Sequence, residues 1–160
     1  MAKKGRIKRI TLVCKATRDG DNPGAFQNSC FNIGPTLSLM ENAKGKRFGG
    51  FTKADWGNAK EESYHYDNEA FLFSLNKKKT YNIQKPEYAT KNHPQYWQIF
   101  GTTGVGDGIG CYVGFLCNNN CFEDREKKNT CYQTHGRHEL TGEAKGKLIE
   151  NEVFRIEFCN

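Results

Sequence analysis

The residues with the most chemical potential lie close together late in the chain: Cys117, Cys121, Cys131, His135 and His138. Thiolate and imidazole are the ligands of tetrahedral zinc sites, so this span can supply a full set. The spacing Cys117-x-x-x-Cys121 does not reproduce paired knuckles, and Cys131 or Cys111 would have to join from another segment. Scattered reduced thiols explain the same residues without a metal. A Cys-His nucleophilic pair can be drawn on them too, but no nucleophile elbow or oxyanion-hole turn accompanies it. His65, Asp67 and Glu69 offer acid-base groups, although Asp67-Asn68 suits a turn into the following strand better. Arg18-Asp19-Gly20 pairs opposite charges at a tight turn, where such pairs commonly serve structure. Asp19-Gly20-Asp21-Asn22 opens as a calcium loop does but lacks the loop glycine and closing glutamate at the required spacing. The glycine-rich run Gly101 to Gly110 lacks the Gly-Lys-Ser/Thr ending and the Gly-x-Gly-x-x-Gly spacing of phosphate loops, and predicts a turn. None of these groups forms a catalytic constellation, so the sequence points to a chain that is not an enzyme and needs no cofactor.

Charge offers a second kind of site. The chain carries a formal net charge of +6 over 160 residues. Its cations fall in small runs, among them Arg6, Lys8 and Arg9, then Lys77, Lys78 and Lys79, then Arg125, Lys127 and Lys128. Solvated turns account for such runs, and an acidic partner surface would use them. No helix-turn-helix, zinc-finger or aromatic-basic RNA motif accompanies the charge, so nucleic acid is not favoured. No apolar run approaches the roughly 20 residues of a membrane span. The opening residues lack the apolar core of a secretory signal, and the seven cysteines form an odd set. Reduced thiols in the cytoplasm are the expectation.

The elements that would position these groups are mostly strands. Seventeen glycines and scarce helical periodicity indicate a β-rich fold with many turns. Arg9 to Ala16 alternates, with Ile10, Leu12, Cys14 and Ala16 on one face. Asn22 before Pro23 predicts an N-cap and a short helix over Pro23 to Phe31 that carries Phe26 and Cys30 inward. Thr36 to Glu41, the Asn42 to Gly45 loop and Lys46 to Lys53 predict a hairpin. Gly49-Gly50 inside its second strand implies close backbone approach or an overlying aromatic ring. Glu69 to Leu75 is apolar on both faces, which predicts a strand deep in a sheet with Phe71 and Phe73 in the core. Thr80 to Ile83, Tyr96 to Phe100, Cys111 to Cys117 and Glu152 to Phe158 predict further strands. Lys85 to Gln95 and Asn118 to Thr134 read as loops.

The ordered landmarks Ala16-Thr17-Arg18-Asp19-Gly20, Gly34-Pro35-Thr36, Phe48-Gly49-Gly50-Phe51-Thr52, Trp56, Asn68-Glu69-Ala70-Phe71-Leu72-Phe73-Ser74-Leu75, Phe100-Gly101 and Glu152-Val153-Phe154 resemble the TLDc domain. The resemblance runs from about Ile10 to Phe158. It implies an α+β, β-rich sandwich of two antiparallel sheets with short helices, over residues 10–160 behind a basic arm of residues 1–9. It also implies a eukaryotic family tied to oxidation resistance, whose better-understood members bind the vacuolar proton-pumping ATPase and regulate its assembly, with no agreed catalytic residues. Family domains usually open with a helical segment, where this sequence has the basic Met1 to Arg9. An apolar edge covered by a permanent partner is the corresponding expectation. The expected role is a non-catalytic interaction or scaffold domain on a large assembly. Candidate assemblies are a cytoskeletal or ciliary lattice with acidic tubulin surfaces, or the proton pump, and a redox-protective or zinc-binding protein is the alternative.

Overall fold

The computed structural model describes residues 5–57, 62–102, 111–116, 121–124, 131–134 and 138–160, of which 102, 111–116 and 121–124 are described as backbone. Alternation and turn chemistry place the first elements as the sequence predicts. Strand β1 spans Ile7–Lys15 and runs into a single helical turn, α1, Ala16–Asp19. Asn22 then caps α2, Pro23–Cys30, by accepting from the Ala25 amide at 3.0 Å, with proline at the first helical position. Strands β2, Thr36–Asn42, and β3, Arg47–Thr52, form the expected hairpin. Asn42 holds its turn by accepting from the amides of Lys44 and Lys46, and Gly45 supplies the positive φ of 77°.

The remaining strands are β4 Ser63–His65, β5 Phe71–Ser74, β6 Lys79–Asn82, β7 Thr90–Asn92, β8 Tyr96–Thr102, β9 Cys111–Leu116, β10 Cys121–Asp124 and β11 Lys145–Phe158. They form two antiparallel sheets. One runs in the order β1-β11-β2-β3-β5-β6 and the other β4-β7-β8-β9-β10-β11. The long β11 belongs to both, pairing with β10 through Lys145 to Lys147 and with β2 and β1 farther along.

The core lies between the sheets and is closed by α2. Met40, Phe48, Leu72, Tyr81 and Val153 face it from the first sheet, and Trp97 and Phe100 from the second. Phe26 of α2 stacks on Trp97 with ring centroids 5.6 Å apart and meets Trp56 edge-on at 5.5 Å, and Trp56 meets Phe100 at 5.6 Å. Both indoles are satisfied: Trp56 donates to Thr36 Oγ1 and Trp97 to the Asn22 carbonyl, each at 2.9 Å. Gly49-Gly50 carries both kinds of close approach. A Cβ on Gly49 would strike the Ser38 carbonyl and the Phe73 ring, and one on Gly50 would lie 2.5 Å from the Phe100 ring of the opposite sheet.

Several expectations are corrected. A register shift between Leu12 and Cys14 splits the predicted face of β1, so Cys14 is buried while Ile10 is 57% exposed. Strand β5 is second from the edge, and its inward side is Ala70, Leu72 and Ser74, whereas Phe71 and Phe73 lie on the outer side. The segment 85–95 contains β7, and 118–134 contains β10 and the buried Cys131 and Tyr132. Strand β11 begins at Lys145, seven residues before the alternation that marks its second half becomes clear.

Candidate functional site

Sandwich sheets usually turn a polar face to solvent. Here the outer side of the first sheet carries an apolar row that crosses from β1 to β5. One cross-strand row reads Leu12, Phe154, Leu37, Phe51 and Phe71, ending at Asn82 on β6. The next reads Lys15, Glu152, Leu39, Gly49, Phe73 and Thr80, apolar only over β2, β3 and β5, with the Phe73 ring lying over Gly49. Phe51 stacks on Phe71 at 5.2 Å and meets Phe158 edge-on at 6.2 Å. The side chains leave a groove of about 790 Å³ between β1 with the end of β11 and the β3-β5-β6 side, and a second hollow of about 460 Å³ over Leu39 and Phe73. Leu37, Phe71 and Thr80 line both, so the two are continuous. At the rim Ile7, Ile10 and Leu75 are each about half exposed.

The predicted cations border this face without forming one patch. Lys8 and Arg9 are exposed on β1, one edge of the sheet, with Arg6 just before it, and Arg9 reaches Glu157 at 3.9 Å. Lys77, Lys78 and Lys79 are exposed at the β5–β6 turn on the opposite edge. There Lys77 donates to the Glu139 carbonyl at 2.7 Å and Lys79 pairs with the Glu139 carboxylate at 3.7 Å. Arg125, Lys127 and Lys128 lie outside the described residues.

The chemical candidates are separated. Cys117 and His135 fall outside the described residues, and Cys121 is placed by backbone in β10. Cys131 is buried in the core, and His138 sits in a turn with φ 56° and its Nδ1 buried without a hydrogen bond. Among the described residues no three metal-binding groups cluster. Cys14 and Cys30 are both fully buried beside each other, and the Cys30 thiol is pushed well up by its contact with the Cys14 sulfur and then by burial.

The acid-base trio is likewise dispersed. His65 Nε2 meets Asn92 Oδ1 at 2.7 Å and Glu69 pairs with Lys53 at 2.6 Å. Asp67 is buried and accepts from Thr52 Oγ1 and the Lys53 amide, both at 2.7 Å, and from the Glu69 amide at 2.9 Å. It thus ties the end of β3 to the entry of β5. Asp67→Ala orphans all three donors, and is expected to cost about 2–3 kcal/mol in urea unfolding, with Asp67→Asn losing less because an acceptor remains. Equal stability of the Ala variant and the wild type would refute that assignment.

Asp19 is held in the turn by Arg18 at 2.8 Å and the Lys15 amide at 2.9 Å. These hydrogen bonds, Arg18 first, lower its carboxyl to about 2. Its oxygens are therefore engaged within the chain, as are those of Asn22, which argues for capping over calcium.

The sequence reading missed the outer apolar face as a surface. Its signal was available in strands apolar on both sides, Leu37 and Leu39 against Met40 in β2, and Phe71 and Phe73 against Leu72 in β5.

Two antiparallel sheets closed by short helices define a β-sandwich with an unusually apolar outer wall. The TLDc domain model matches residues 1–157 of the 160, and the chain belongs to the TLDc domain family. No curated protein matches the chain closely enough to add to that assignment. No helix among the described residues is long and apolar enough to cross a membrane.

Proposed function

We propose that this TLDc domain is a non-catalytic interaction module that docks on a large cytoplasmic assembly with an acidic surface. The observation that carries the reading is the placement of cations at both ends of the first sheet's strand order, Lys8 and Arg9 on β1 and Lys77 to Lys79 at the start of β6. Edge cations also protect a sheet against adding further strands, so they serve solubility and docking together. The catalytic candidates support it in their own way: Asp67, Asp19 and Glu69 each spend their oxygens on a structural partner.

Cross-linking mass spectrometry of the chain in native extract tests this. The expected result is that Lys8 and Lys77 to Lys79 link to one dominant assembly, and that the links fall as salt rises from low to physiological strength. Cytoskeletal subunits would identify a lattice component, and proton-pump subunits a regulator of the pump. Links spread over unrelated proteins, or unchanged by salt, would overturn the reading.

A further inference from the structure

We propose that the apolar outer face of the β1-β11-β2-β3-β5-β6 sheet seats an amphipathic helix from a partner protein, apolar along one side and acidic at the end lying over the β5–β6 turn. The inference rests on the interaction-module reading and names the chemistry of the partner segment.

Three observations select this occupant. First, every strand across the middle of the face is paired on both sides, β11, β2, β3 and β5 alike. The face therefore offers side chains and no free backbone ladder, which suits a segment whose own backbone hydrogen bonds are complete. A strand would need an edge. Second, the apolar row crosses from β1 to β5 and the groove continues to β6. Six strands at about 4.8 Å spacing put the outer two roughly 24 Å apart, the length of a helix of about 16 residues. Apolar side chains at i, i+3, i+4 and i+7 would meet the Phe154, Leu37, Phe51 and Phe71 row.

Third, the charge lining the groove is one-sided. The charged side chains there are Lys53, Lys78, Lys79 and Glu69, of which Lys53 pairs with Glu69 at 2.6 Å and Lys79 with Glu139 at 3.7 Å. The remaining charge is Lys78, with the exposed Lys77 next to it at the β5–β6 turn. A second copy of this chain, also +6, would bring like charge to it. An acidic helix end meets it favourably.

Selection of helical 16-residue peptides from a random displayed library, on the full chain, tests the proposal. Selected peptides should carry apolar residues at helical spacing with Asp or Glu gathered at one end. Their affinity, read by fluorescence anisotropy, should fall about tenfold with Leu75→Asp or with Ile10→Asp, from lost apolar burial. Both residues are half exposed, so the variants should keep the wild-type circular dichroism, and Lys78→Glu should weaken the same peptides while sparing ones with neutral ends. Peptides with period-two apolar patterns, basic ends, or equal affinity for Leu75→Asp would overturn the proposal. So would sedimentation of the chain as a dimer through this face, or uptake by anionic vesicles that Leu75→Asp abolishes. If Leu75→Asp keeps the cross-links to the native assembly while charge reversal at Lys77 to Lys79 removes them, the helix inference fails and the interaction-module reading stands.

Discussion

Alanine at Gly49 is expected to destabilise the domain by about 3 kcal/mol or more, a severe loss for one methyl group. The new Cβ would enter the space of the Ser38 carbonyl, a backbone atom of the neighbouring β2, and would press on the Phe73 ring at 2.8 Å. A ring can swing aside, but the carbonyl is fixed in the β2–β3 ladder. Relief therefore requires separating two central strands. Small domains have only about 5–15 kcal/mol to lose, so the variant should show a much lower urea midpoint and reduced soluble yield. Gly45→Ala is the control. Its Cβ meets nothing within 4 Å, and only the φ of 77° penalises it, by about 1 kcal/mol. Similar midpoints for the two variants would show that close approach at Gly49 is not what the glycine serves.

Trp56→Ala is the second large effect, with about 4–5 kcal/mol expected. The indole is fully buried, touches Phe26 and Phe100 edge-on, and donates to Thr36 on β2. It joins α2, the first sheet and the second through one side chain. Trp56→Phe retains ring packing and leaves Thr36 Oγ1 without that donor, so it should cost about 1–2 kcal/mol. Denaturant titration of both variants, with tryptophan emission of the remaining Trp97 as the probe, gives the comparison. A Phe variant as unstable as the Ala variant would mean the hydrogen bond outweighs the packing.

The sequence was legible wherever local chemistry sets local structure. Asn22-Pro23 announced α2, Asn42 to Gly45 announced the β2–β3 turn, and Gly49-Gly50 announced close contacts that Phe73 and Phe100 supply. It was illegible where tertiary context overrides pattern. Thr90-Lys91-Asn92 has no apolar periodicity, yet it is a buried strand because β4 and β8 flank it. The bulge near Leu12 reverses a face that strict alternation assigned, and no residue type there marks it. The face of β5 was misjudged for a related reason. Two apolar sides reveal that both are covered or sticky, and size alone does not tell which one meets the second sheet. Leu72 does, while the larger Phe71 and Phe73 build the outer wall. For the site, the runs of lysine and arginine were visible, but their distribution over opposite edges follows from strand order, which spacing does not encode.

The shared strand β11 also sets an order of events in synthesis. Among the described residues β1 has β11 as its ladder partner, so the earliest of these described strands to leave the ribosome pairs with the latest of them. Until residues 145–158 emerge, Ile10 and Leu12 lie on an unpaired edge and the two sheets have no strand in common. Such long-range closure is slow and exposes sticky surface meanwhile. A nascent chain stalled before Lys145 should therefore remain bound by chaperones, and release should coincide with arrival of the final strand.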